Sequence, residues 1–330
     1  MIEDSIDRLA AETGFSGVVR VDTFAKAYGL AHRGAGIANT VDTRFGIASG
    51  GKGFTALAVM SLVEEGVLAL DTTARSVLGA DLPLIDDKVT VAHLLTHRSG
   101  IGDYYDEEAD NDVNDYVMSV PVHELANTEQ FVRVLDGYPQ KFPPGERFSY
   151  NNGAFVVLAL IAERAGGTPY HELVQERVLT PAEMHDTAFL RSDEPTARAA
   201  LGYLTPDGLR TNVMHLPIRG NGDGGIYSTA ADIHKLWAAF FAGRIVSRDT
   251  VADIVRSHSD VPAESMRYGL GFWLHESREI TILIGADPGV SFRTVHDPTS
   301  GLTHTVLSNT SSGAWPTTRM LDLELGIRAG

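Results

Sequence analysis

The chain has 330 residues, with 27 Lys+Arg against 43 Asp+Glu and a formal charge of −16, so its surface repels phosphate backbones and anionic lipid. No Lys/Arg-rich run relieves that repulsion, so nucleic acid and membrane are excluded as general partners. The absence of cysteine removes disulfides, thiolate metal sites and cysteine nucleophiles. The opening MIEDSIDRLAAETG is acidic and lacks the apolar stretch of an export signal. The longest apolar runs, such as residues 155–162, fall far short of the roughly 20 residues of a membrane span. The reading is a cytoplasmic protein of about two domains, with a trimmed export signal left open.

Taken in order, residues 2–12 read as a helix. SGVVRVDTFAKAYGLAHRG reads as a β-hairpin turning near Asp22 and Thr23. Over 51–65 the period becomes helical, with Phe54, Leu57, Val59, Leu62 and Val63 as an apolar stripe and Gly66 as C-cap. Residues 71–214 read as helices and long loops, including VTVAHLLTHRSG, EQFVRVLDG and an apolar helix over 154–165 closed by Gly166 and Gly167. A Gly-rich turn then leads into a helix capped at Ser228 or Thr229. Period-two alternation returns in YGLGFWL, EITILI, VSFRTVH and LTHTVLSN, and residues 318–328 close the chain as a helix. This order implies an antiparallel sheet domain built from 1–70 and 215–330, with a mainly α-helical domain, 71–214, inserted between them.

Ser49-Gly50-Gly51-Lys52 places Ser and Lys three apart at the start of a helix, on one face and within reach of each other. A serine there has the helix dipole and backbone N–H groups behind it, which favours the negative charge that develops on attack at a carbonyl. The competing reading is a serine N-cap with an exposed lysine. In FPPGERFSYNNGAF, Tyr150 and Asn152 stand two apart in an extended segment, so both can face one cleft. A phenol beside an ammonium can act as a base, and an amide can orient the lysine; alone, this reads equally as a core tyrosine and an Asn cap.

Together these segments resemble a known family. TRFGIASGGKGFTALAVMSLVEEGVLALD, LLTHRSGI, FPPGERFSYNNGAF and GGIYSTAADI match, in order and spacing, the serine β-lactamase and penicillin-recognising superfamily, most nearly its class C-like hydrolases. The resemblance implies an α+β, β-lactamase/transpeptidase-like fold: an antiparallel sheet flanked by helices, an inserted mainly α domain, and the active site in the cleft between them. It makes Ser49 the nucleophile, Lys52 and Tyr150 the proton-transfer pair and Asn152 an amide lining the site. The N–H groups of Ser49 and Ala286 become the oxyanion donors. No metal or organic cofactor is implied.

One motif departs. Where the family carries Lys or His, a small residue and Gly on the strand edging the cleft, this chain has Leu283-Ile284-Gly285. Without the cation, a substrate carboxylate would go unpaired, so the expected substrate is a small uncharged ester or amide. A β-lactamase, D-alanyl carboxypeptidase or D-aminopeptidase, an acyltransferase using the same residues, and a non-catalytic pocket-binding homologue are the alternatives. Leu283 and Gly285 are placed at the substrate edge, with Tyr104 as a pocket wall. Arg293, on the next strand, is read as a surface residue, with replacement of the missing cation as the competing reading.

Seven acids over 103–115 read as a solvated loop, with selection of a cationic substrate as the competing reading. A calcium loop at 110–114 is rejected because Asp115 and Pro121 stand where Gly and Glu are needed. His93 and His97 lack the Glu of a zinc motif and read as capping or core residues, and Gly220 to Gly225 read as a turn bordering the cleft.

Overall fold

The computed structural model describes residues 2–107, 113–194 and 196–327. At its centre is an antiparallel eight-stranded sheet. The strands run in the order Phe24–Tyr28, Gly17–Val21, Thr303–Ser308, Val290–His296, Thr281–Asp287, Trp273–His275, Met266–Tyr268 and Ser259–Val261. The hairpin expected near the N-terminus turns at Asp22, whose φ of +48° closes the two-residue loop, and it pairs with the last strand of the chain. YGLGFWL, expected as one strand, is two, Met266–Tyr268 and Trp273–His275. Between them Gly271 takes a φ of +81° to reverse the chain. The edge strand Ser259–Val261 and the helix Arg248–Ile254 were not anticipated; both are too short to show a period.

Both faces of the sheet are covered. Val19 and Val306 pack with Ile6, Ala10 and Leu321 of the terminal helices Ile2–Thr13 and Ala314–Glu324. Val18, Phe292 and Leu307, one residue out of step with these, pack against the helices Lys52–Glu64, Asn152–Gly166 and Ala230–Phe241 on the other face. The helix Lys52–Glu64 is buried at every position from Lys52 to Leu62, rather than along one stripe, because it lies between the sheet and a second helical layer. Thr229 caps the helix Ala230–Phe241 and accepts from the Asp232 N–H. The last helix begins at Ala314, four residues earlier than the sequence suggests, with Pro316 tolerated in its first turn.

Strand parity also corrects Arg293. It stands opposite Val306, on the terminal-helix face, where it is 6% exposed and bonds Asp322 Oδ1 at 2.6 Å. The same carboxylate oxygen lies 3.4 Å from His304 Nε2. Arg293 is therefore neither a surface residue nor a substitute cation for the cleft. Asp322→Ala strands a buried guanidinium and is expected to cost about 3–5 kcal/mol in urea unfolding at pH 7.

Candidate active site

Ser49 sits in a 3₁₀ turn, Ala48–Gly51, that leads into the helix Lys52–Glu64. Ala48 is held at φ +46°, a strained value for a residue with a side chain, at the point where the strand Phe45–Gly46 gives way to the turn. The surrounding glycines allow close packing. A Cβ on Gly50 would come within 2.4 Å of the Phe292 ring, and one on Gly285 within 2.1 Å of the Ile47 carbonyl oxygen and 2.9 Å of the Ser49 nitrogen. The turn is thus pressed against the strand Thr281–Asp287, which brings the Ser49 backbone next to the residue that precedes Ala286.

Lys52 is 2% exposed. Its Nζ donates to Ser49 Oγ at 2.9 Å, Asn152 Oδ1 at 2.8 Å and the Asp223 carbonyl oxygen at 2.8 Å. Burial pulls the amine below the ordinary lysine pKa, opposed by the carboxylates of Asp223, Glu107, Asp287 and Asp103. The Tyr150 ring lies 5.0 Å from Nζ and stacks at 6.0 Å on Trp273. Burial and the Glu107 charge hold its phenol well above the usual range despite a hydrogen bond with Ser49, so Tyr150 is protonated at neutral pH.

Asn151 is extended and caps the helix Asn152–Gly166, its Oδ1 accepting from the Ala154 N–H at 2.6 Å. A second cap comes from far along the chain. The Asp103 carboxylate accepts from the N–H groups of Asn152 at 2.6 Å and Gly153 at 2.9 Å. Burial pushes its pKa up to about 7 against those bonds. His97 Nδ1 accepts from the Asn151 N–H at 3.1 Å, and its ring packs 4.3 Å from Tyr150. Burial keeps its pKa well below the usual value, so it is a neutral brace. His93 closes a capping box with Thr90. The start of the acidic loop is therefore a buried support for the YNN segment rather than a solvated run; its residues 108–112, with most of the rejected calcium motif, lie outside the described residues.

A cleft enclosing about 950 Å³ of empty space, part of it open solvent, is lined by Ser49, Asn152, Ala286, Tyr104 and the turn around Asp223. The Tyr104 hydroxyl donates to Asp223 Oδ2, linking two sides of the cleft. Leu283, Gly285 and Asp287 share one face of their strand, toward the helix Lys52–Glu64, and their depths differ. Leu283 is 2% exposed, in the core beside Gly53 and Phe272. Gly285 backs the Ser49 turn, and Asp287 opens into the cleft. Ser49, Lys52, Tyr150 and Asn152 come together; Ala286 and Tyr104 line the same cleft; Leu283 does not reach it, because its side chain packs down against the helix. Sequence reasoning missed Asp223, whose carbonyl accepts a hydrogen bond from Lys52, and Asp103. The only available signals were the Gly-rich turn around Asp223 and the position of Asp103 directly after SGIG.

Among the described residues, no group of three or more His, Asp and Glu is placed to hold a metal ion, and no helix is long and apolar enough to cross a membrane. A serine with a buried lysine three residues on, a tyrosine and an asparagine around it, in a cleft beside an antiparallel sheet, has the groups that serine acyl transfer requires. The chain belongs to the Beta-lactamase family, whose model matches residues 8–327, and is a serine hydrolase. Among its relatives, Esterase EstB of Burkholderia gladioli is 32% identical over 76% of this chain and 70% of its own length. Penicillin-binding protein 4* of Bacillus subtilis is 28% identical over 79% of this chain, which spans 61% of that relative. The crystal structure of a penicillin binding protein from Bacillus halodurans superimposes with a TM-score of 0.89 at 35% identity, covering 96% of this chain and 99% of that one.

Proposed function

We propose that this protein is an esterase or amidase that forms an acyl-enzyme on Ser49, in a cleft between a sheet unit and a helical unit divided near residues 70 and 214. The observation that carries the reading is the placement of Lys52 Nζ. Two of its three contacts, Asn152 Oδ1 and the Asp223 carbonyl, are acceptors, so a neutral amine gives both its N–H groups to them and turns its lone pair to the Ser49 hydroxyl. Ser49 Oγ attacks the substrate carbonyl carbon and its proton passes to Lys52. As the bond to the leaving group breaks, the Tyr150 hydroxyl supplies the proton that group needs, and the Lys52 ammonium restores it. Water then repeats the sequence on the acyl-enzyme, with the Ser49 and Ala286 N–H groups holding the oxyanion in each step.

The cleft's apolar wall of Met118, Leu190, Leu216, Pro217, Ile218 and Val290 suits an acyl or leaving group without a carboxylate, and Leu283 provides no cation for one. The similarity to EstB supports the esterase side of the reading, and that to the penicillin-binding proteins marks the alternative. The test is steady-state turnover of p-nitrophenyl butyrate beside benzylpenicillin and a D-alanyl-D-alanine peptide. Ester turnover without a lasting penicillin adduct supports the proposal, whereas rapid penicillin hydrolysis or peptide cleavage with an inert ester overturns it.

The base form of Lys52 also sets the pH dependence. Because deprotonated amine is the active form, kcat/KM rises with pH through the Lys52 pKa, which lies below the ordinary value of 10.5. Glu107 holds that pKa up, so Glu107→Gln is expected to move the acid limb to lower pH, and a limb that stays put removes Lys52 as its source.

A further inference from the structure

We propose that the site selects substrates carrying a cationic group near the scissile carbonyl, with the Asp287 carboxylate as the specificity-determining contact. The inference rests on the serine hydrolase reading above and adds a positive charge to a substrate that reading defines only as lacking a carboxylate.

The argument is one of position. Asp287 is the residue after Ala286, on the strand face directed at the nucleophile, and it lines the same cleft as Ser49. Its partner across the strand pair is Val290, which also lines the cleft and offers no hydrogen bond from its side chain. A group bound at Asp287 would therefore sit one residue along the strand from the proposed oxyanion donor. The walls add to its charge: Glu107 and Asp223 line the same space, while among the described residues His215 is the one basic residue lining it.

Neither Lys52 nor Arg293 lines this patch. Lys52 lies behind the serine with its Nζ held by Ser49, Asn152 and Asp223, and Arg293 is on the opposite face of the sheet, bonded to Asp322. At Leu283, where a cation would have made the cleft suited to carboxylates, an apolar side chain fills the core. Burial and the nearby Asp223 charge push Asp287 up to about 7, with Lys52 pulling the other way.

A second, independent observation points to a bound polar group. Asn221 is 1% exposed and lines the cleft; its Oδ1 accepts from the Gly222 N–H at 2.8 Å, while its Nδ2 has no partner among the described residues. A buried amide donor left unpaired costs free energy that a substrate acceptor, such as the ester or amide oxygen, would recover. Cation and acceptor together describe an amino-acyl or aminoalkyl ester or amide, in which a positive charge and a carbonyl group are a few bonds apart.

The test uses two isosteric esters, p-nitrophenyl 4-(trimethylammonio)butanoate and p-nitrophenyl 5,5-dimethylhexanoate, which differ by a quaternary nitrogen against a carbon and do not titrate. Wild type is expected to favour the cationic ester by about tenfold or more in kcat/KM, and Asp287→Asn to cut that ratio by at least about fivefold. The same ratio is read as dissociation constants by calorimetry on Ser49→Ala. A ratio near one in both measurements, or one that Asp287→Asn leaves unchanged, overturns the proposal. Preferential binding of the cation without turnover of either ester keeps the specificity and removes the hydrolase reading on which it was built.

Discussion

Replacing Lys52 with methionine is expected to lower kcat/KM for an activated ester by about 10³-fold or more, the range lost when a general base is removed. Unfolding free energy should change little. The two effects separate because Lys52 is fully enclosed. Its folded-state amine gives up hydration, and a methionine of similar length fills the same space without that penalty. Against this gain, Asn152 Oδ1 and the Asp223 carbonyl each lose a donor, at about 1–3 kcal/mol apiece where no water replaces it. Stopped-flow acylation and urea titration on one preparation check both halves. A variant that still acylates within about tenfold of wild type would show that the proton leaves Ser49 by another route.

The second large effect is at Gly285. A methyl group there would lie 2.1 Å from the Ile47 carbonyl oxygen and 2.9 Å from the backbone nitrogens of Ser49 and Gly50, and these are main-chain atoms that cannot rotate away. Gly285→Ala is therefore expected to push the Thr281–Asp287 strand off the nucleophile turn. The two proposed oxyanion donors would separate, with a loss of about 10²–10³ in kcat, the scale of one missing donor, and about 1–3 kcal/mol of stability from overpacking. The comparison is Gly14→Ala, where no atom lies within 4 Å of the added carbon. That variant carries only the cost of a positive φ, so turnover at wild-type rate in Gly14→Ala beside a wild-type rate in Gly285→Ala would refute the close approach.

What the sequence revealed and what it hid follow from range. The hairpin at Asp22, the helix caps at Gly66, Gly167 and Thr229, and the strands after residue 280 are local patterns, written in turn residues and in periods of two or 3.6. The spacing of Ser49 and Lys52 is equally local, and Tyr150 and Asn152 became legible through their family resemblance. Asp103 acts on the Asn152 and Gly153 N–H groups from 49 and 50 residues away, and Asp223 meets Lys52 across 171. No window of spacing reports such contacts. Arg293 and Leu283 show a different limit: only strand register says that Arg293 faces the terminal helices and that Leu283 points into the core. The charge of the acidic stretch was plain, but not that its first member would be buried as a helix cap.

The central claim is that Ser49 is the acyl-accepting nucleophile, and intact-mass spectrometry after incubation with a fluorophosphonate tests it most directly. Wild type is expected to gain one phosphonyl group per chain, mapped by peptide fragmentation to Ser49, while Ser49→Ala gains none yet keeps the wild-type circular dichroism spectrum. An adduct that persists in Ser49→Ala, or one mapped to another residue of the wild-type chain, would contradict the account.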